Sequence, residues 1–145
     1  MPHEPRNPSF ADDIKQSFAK QTMMNLIGAE LTRVEPGIVE ISLPYRADMT
    51  QQHGYHHAGI VTTIADTASG YAAYSLMPPG AEVLSVEFKV NLLRPAQGEM
   101  FRALAEVVKS GRTLTVVRAD VFGINRDGER ELVATMLATM MCLQQ

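Results

Sequence analysis

The sequence predicts an α+β domain in which an antiparallel sheet curls around one long helix, and three observations carry that prediction. Ala58 to Leu76 is built of Ala, Gly, Ile, Val, Tyr and hydroxyl residues, and Asp66 is the only side chain charged at neutral pH between His57 and Glu82. This is the composition of a helix packed on nearly all its sides. Leu84, Val86, Phe88, Val90 and Leu92 then alternate with Ser85, Glu87, Lys89 and Asn91, the period of a strand with one packed and one polar face. A hairpin precedes the helix and three more strands follow. One helix among many strands is buried most economically when the sheet wraps it, and its small side chains let the sheet come close.

The elements follow in order. Ser9 is placed to cap a first helix, with Asp12 at its third position, Phe10, Ile14 and Phe18 on one face and Gly28 at its end. Ala29 to Leu43 reads as a hairpin turning at Pro36-Gly37, with Val39, Ile41 and Leu43 alternating against Glu40 and Ser42. Pro78-Pro79-Gly80 breaks the chain after the long helix. Met100 to Lys109, Thr113 to Phe122 and Glu131 to Leu143 are predicted strands of a meander, turning at Ser110-Gly111-Arg112 and Asn125-Arg126-Asp127-Gly128.

With 145 residues, the chain is expected to form one domain that buries about two-thirds of its unfolded surface. Residues 1–9 hold three prolines and no apolar core, and are expected as a flexible tail, not a signal peptide or anchor. The net charge of -3, with basic residues scattered, offers no footprint for nucleic acid or an anionic membrane. Asp66 at the middle of the long apolar run argues against a bilayer span. The single cysteine, Cys142, excludes an internal disulfide and fits a reducing cytoplasm.

Asp66 is the first candidate for chemistry. A carboxylate enclosed by apolar residues loses hydration worth several kcal/mol, so it needs a partner, a shifted pKa or a task. His53, His56 and His57 invite a zinc reading, but clustered loop histidines without a neighbouring cysteine or carboxylate make a poor ligand set, and no metal is expected. Lys89, Arg94, Lys109 and Arg112 are candidates for phosphate contacts, Arg94 and Arg112 above all because they stand at strand ends and turns.

Gln51 to Ala73, containing His57-Ala58-Gly59 and then Asp66, resembles the signature of hotdog-fold acyl-CoA thioesterases of the phenylacetate-pathway (PaaI-like) type. In that family an amide residue and a His-Gly-Gly tripeptide open the helix and an aspartate follows. Phe88 to Ala96 and Lys109 to Arg112 resemble the family's strand-end and turn motifs. The resemblance runs from about Ala29 to Leu143. Ala58 replaces the middle glycine, and Gln51 the family's common asparagine.

The resemblance implies hydrolysis of an acyl- or aryl-CoA thioester, with no cofactor beyond the coenzyme A of the substrate. Asp66 is then general base or nucleophile, and the Gly59 amide at the positive end of the helix polarises the carbonyl. Gln51 or Gln52 supplies a second hydrogen bond. His57 holds the loop, and Ser85 stands by the attacking water. Ala58, Tyr55, Asn91, Arg94, Lys109 and Arg112 are the expected substrate contacts, with Met49, Tyr71 and Tyr74 further candidates for the acyl pocket. Asp66 follows Gly59 by seven residues, about 10 Å of helix, so the resemblance further implies a dimer, or a dimer of dimers as a homotetramer, whose sites pair one chain's helix start with the other's aspartate. A non-catalytic acyl-CoA or acyl-carrier binding module and a hotdog-fold hydratase are the other classes compatible with this outline.

Overall fold

The structure, a computed structural model, describes residues 2–144. Its elements are α1 (Phe10–Lys20), α2 (Thr22–Ile27), β1 (Glu30–Glu35), β2 (Ile38–Pro44), α3 (Ala58–Tyr74), β3 (Glu82–Leu92), β4 (Met100–Ser110), β5 (Leu114–Ile124) and β6 (Arg130–Leu143). All strands join one antiparallel sheet in the order β1-β2-β4-β5-β6-β3. The sheet curves so that α3 touches every strand from β2 to β6, while α1 lies over β1. The long helix, the hairpin and the meander predicted from the sequence are all present.

Small side chains make the close packing possible. Ala65, Ala68 and Ala72 on α3 have no exposed surface, nor do Ala103, Ala105, Ala119 and Ala138 on the strands beneath. Ile64, Val39, Ile41, Leu43 and Phe101 fill the space between, each fully buried, and each such side chain contributes roughly 1.5–3 kcal/mol. Ser69 is equally buried, and its hydroxyl donates to the Ala65 carbonyl, so it adds no unsatisfied group. At the end of α3, Ser75 Oγ accepts from the Gly37 amide at 2.7 Å, tying the β1–β2 turn to the helix. Gly37 has a φ of +78°, a left-handed conformation that favours glycine, and the His3 ring packs over the space a Cβ would take.

The helix is not packed on all sides, contrary to the expectation from its composition. The stripe carrying Gly59, Thr62, Thr63, Asp66 and Gly70 remains exposed or half-buried. Thr62 and Thr63 stand on this stripe with their hydroxyls donating to the carbonyls of Ala58 and Gly59.

The β3 pattern also breaks. A bulge between Ser85 and Glu87 slips the register, so Ser85 opposes buried Met140 while Phe88, Val90 and Leu92 oppose Ala138, Met136 and Ala134. Ser85 therefore shares the helix-facing side with Phe88 instead of lying on the polar face. Packing of β3 is also sparser than expected: Val83 and Val90 pack against the core, while Leu84, Val86, Phe88 and Leu92 are 55%, 50%, 41% and 55% exposed on this edge strand.

At the N-terminus, one expected helix is two. Gln21, extended at φ −75° and ψ 105°, separates α1 from α2, and Gly28 closes only the second. Ser9 makes no side-chain cap. Asn7 takes that place from two residues upstream: its Oδ1 accepts from the Ser9 amide and its Nδ2 donates to Asp13. Asn7 is 5% exposed, which fastens this part of the segment read as a tail.

Ala68→Leu should overpack the helix–sheet contact and cost about 1–3 kcal/mol, seen as a fall of several degrees in the thermal unfolding midpoint. An unchanged midpoint would show that the sheet does not depend on small residues there.

Candidate active site

Two clefts border α3. The larger, of about 530 Å³, surrounds the helix start and is lined by Gln51, Tyr55, His56, Ala58, Arg94 and the strand-end residues Leu92 and Leu93. The volume is that of a small-molecule site. The smaller, of about 210 Å³, is lined by Gln21, Asp66, Thr67, Gly70, Tyr71, Val83 and Ser85. Asp66 and the helix start thus stand in different clefts of one chain.

Loop geometry builds the first cleft. Gln51 Oε1 accepts from the amides of His53 (2.6 Å) and Tyr55 (3.3 Å), which folds the loop onto its own side chain and leaves the Gln51 NH2 as the uncommitted end. Gln52 is exposed and lines neither cleft. His57 is the N-cap of α3, with Nδ1 accepting from the Gly59 amide at 2.8 Å. An acceptor therefore already sits on the amide expected to polarise a carbonyl, and His57 is exposed enough for another acceptor to displace it. A Cβ at Gly59 would lie 3.0 Å from Nδ1, so a larger residue there would press on the His57 ring.

The three histidines diverge. His53 is exposed. His56, only 2% exposed, stacks between Tyr45 and Phe101, with ring centroids at 5.0 and 4.3 Å. Its Nε2 accepts from the Arg46 amide at 3.0 Å and its own amide donates to the Ala96 carbonyl. His56 thereby joins the loop after β2 to the loop after β3, a role the sequence analysis missed because adjacent His57 drew the attention and nothing in the spacing marks the stack. Nδ1 is buried without a partner among the described residues. Burial pushes the His56 pKa down. Among the described residues, no group of three or more His, Cys, Asp or Glu side chains is placed to hold a metal.

In the second cleft, Asp66 is half-buried and Ser85 Oγ donates to its Oδ1 at 2.7 Å. The unpaired buried carboxylate expected from the sequence thus has a partner, supplied by the β3 bulge. Tyr71 lines the same cleft, while Tyr74 lies near Asp13 and Glu82, where burial first and those carboxylates next push its phenol pKa up. Met49 packs half-buried against the core.

The basic candidates fall at two ends of the sheet. Arg94, whose amide donates to Val133 at the start of β6, is ion-paired with Glu131 at 3.2 Å, both side chains well exposed. Lys109 and Arg112 stand by the β4–β5 turn, where the neighbouring Thr113 carbonyl accepts from Cys142 at the end of β6. Asn91 lies apart from both clefts, in a hollow of the outer face with Lys89 and Arg118.

A single long helix wrapped by a curved six-stranded antiparallel sheet defines the hotdog fold, here with polar residues at the helix start and a carboxylate along its open side. The Thioesterase superfamily matches residues 53–128, and the chain belongs to it. It is similar to the crystal structure of a thioesterase family protein from Silicibacter pomeroyi, with 52% identity and a TM-score of 0.91 over 94% of this chain and 99% of that one. It is 28% identical to the 1,4-dihydroxy-2-naphthoyl-CoA hydrolase of Listeria monocytogenes, over 65% of this chain and 76% of the relative. The E. coli PaaI protein shares the fold, with a TM-score of 0.83 and 18% identity over 96% of both chains. The chain is thus a thioesterase-superfamily hydrolase.

The depressed His56 pKa fixes the sign of one pH effect. Neutral imidazole is the form the fold favours, so its contribution is complete above the unfolded value and is lost as pH falls through the lower folded value. Thermal unfolding should show destabilisation as pH falls below about 6.5, with a shallower slope in His56→Gln; equal slopes would remove His56 as the cause.

Proposed function

We propose that the protein hydrolyses an acyl- or aryl-CoA thioester at a site made by two copies of the chain. The observation that carries this reading is the position of Asp66, half-buried on the open side of α3 and held by Ser85. It is separated from Gly59 by about 10 Å of helix axis. A second copy laid against the open stripe and the unpaired β3 edge brings one chain's helix start to the other chain's aspartate. The exposed Leu84, Val86, Phe88 and Leu92 support that edge as the contact. Arg94, Lys109 and Arg112, at the two ends of the sheet, are the proposed contacts for the phosphates of the coenzyme A. Such a dimer, alone or doubled into a homotetramer, is the working unit.

The substrate carbonyl replaces His57 on the Gly59 amide, and the Gln51 NH2 donates the second hydrogen bond. Together they stabilise the negative charge that develops on the carbonyl oxygen. Asp66 takes a proton from water, and the resulting hydroxide attacks the thioester carbon. Collapse of the tetrahedral oxyanion breaks the C–S bond, and the proton on Asp66 passes to the departing thiolate. Ser85 occupies Oδ1 and leaves Oδ2 for the water. Residues His57 and Ser85 act by positioning, and Tyr55 and Ala58 line the acyl-CoA path. The single cysteine supports a cytoplasmic setting. No helix among the described residues is long and apolar enough to cross a membrane.

Thiol release from a panel of short, long and aromatic acyl-CoA esters tests this reading. Asp66→Asn, nearly isosteric, should lower kcat about 10²–10⁴-fold while still binding ester. Equal rates for variant and native protein would make Asp66 structural and favour a binding module.

A further inference from the structure

Beyond Asp66, the smaller cleft ends in polar groups that the reaction above does not use. Tyr71 is 4% exposed, and its Oη is held by Gln21 Nε2 at 2.8 Å and Ser17 Oγ at 2.9 Å. Gln21 owes this position to the break between α1 and α2, where its extended backbone interrupts an otherwise helical run. Its Nε2 is committed to Tyr71, and its Oε1 has no hydrogen-bond donor among the described residues. Thr67, in the same wall, is the exception among hydroxyls of this helix: Thr62, Thr63 and Ser69 all donate to the carbonyl four residues back, and Thr67 does not. Between Asp66 and this wall lies Gly70, where an added Cβ would meet nothing within 4 Å.

We propose that Gln21, fixed by Tyr71, is a specificity-determining residue: it forms the end wall of the acyl subsite and selects a short acyl group with a hydrogen-bond donor at its far end over the matching hydrocarbon. This rests on the reading of Asp66 as the catalytic carboxylate. From Asp66 to Gly70 the helix rises about 6 Å, room for one ring or a short chain. An acyl group extending from a carbonyl beside Asp66 reaches Gln21 Oε1, an acceptor whose hydration is lost when the cleft fills. A hydroxyl on the acyl group replaces that water; a hydrocarbon leaves the acceptor unpaired. Discrimination by an unpaired polar group in a closed site exceeds what one methylene provides.

The test compares kcat/KM for two matched pairs, benzoyl-CoA with 4-hydroxybenzoyl-CoA and hexanoyl-CoA with 6-hydroxyhexanoyl-CoA, in the native protein, Gln21→Leu and Tyr71→Phe. The ratio within a pair does not depend on how much of a variant is folded. The native protein should favour the hydroxylated member of at least one pair by about tenfold or more. Gln21→Leu should bring that ratio close to one, and Tyr71→Phe, which releases Gln21, should lower it part of the way. A native ratio near one, or a ratio unmoved by both variants, overturns the role of Gln21 while thioester hydrolysis stands. Absence of thiol release from every ester by the native protein overturns the Asp66 reading and this one with it.

Discussion

Close contact between α3 and the sheet sets the position of everything else. Alanines face one another across it, Ala65, Ala68 and Ala72 against Ala103, Ala105, Ala119 and Ala138, and the strands can reach the helix only because none of these side chains holds them off. Once that face is committed, the opposite stripe of the helix has no strand to cover it. Gly59, Asp66 and Gly70 are displayed there at one-turn and two-turn intervals, which is the spacing of a surface, not of a core.

Each half of the site inherits its geometry from that commitment. At the helix start, four amides need partners, and His57 supplies one by accepting from Gly59, so an acceptor position is preformed before any substrate arrives. Seven residues on, Asp66 would be an unpaired carboxylate at the edge of an apolar sheet. The bulge in β3 supplies the donor by turning Ser85 toward the helix. The same strand ends the sheet with a row of exposed apolar side chains and unpaired backbone, so the open stripe and the open edge lie side by side. In the proposed dimer a second copy covers both and completes the chemistry, so that association and activity have one cause.

Much of this was legible in the sequence because period and composition act locally. The apolar run around Asp66 marks the helix, the alternation marks the strands, and Pro36-Gly37 marks the hairpin turn. The break at Gln21 was not legible, since Gln is an ordinary helix residue and the extended backbone there answers to Tyr71, fifty residues on. Ser85 was named for the wrong face because unbroken alternation from Leu84 to Leu92 conceals a bulge that only the pairing with β6 reveals. His56 was hidden for a similar reason: its stacking partners Tyr45 and Phe101 come from elsewhere in the chain. Composition also overstated the burial of α3, because threonine, glycine and alanine serve an inner face and an interface equally well.

The measurement that bears most directly on a site shared between subunits is complementation between two inactive chains. Asp66→Asn and Gly59→Val are purified separately, unfolded and refolded together in equal amounts, and assayed for thiol release. If each site takes its helix start from one chain and its aspartate from the other, half the dimers are mixed and each mixed dimer holds one intact site, so activity returns to about a quarter of native. If both groups serve the same chain's site, every site carries one lesion, and the mixture remains as inactive as its components.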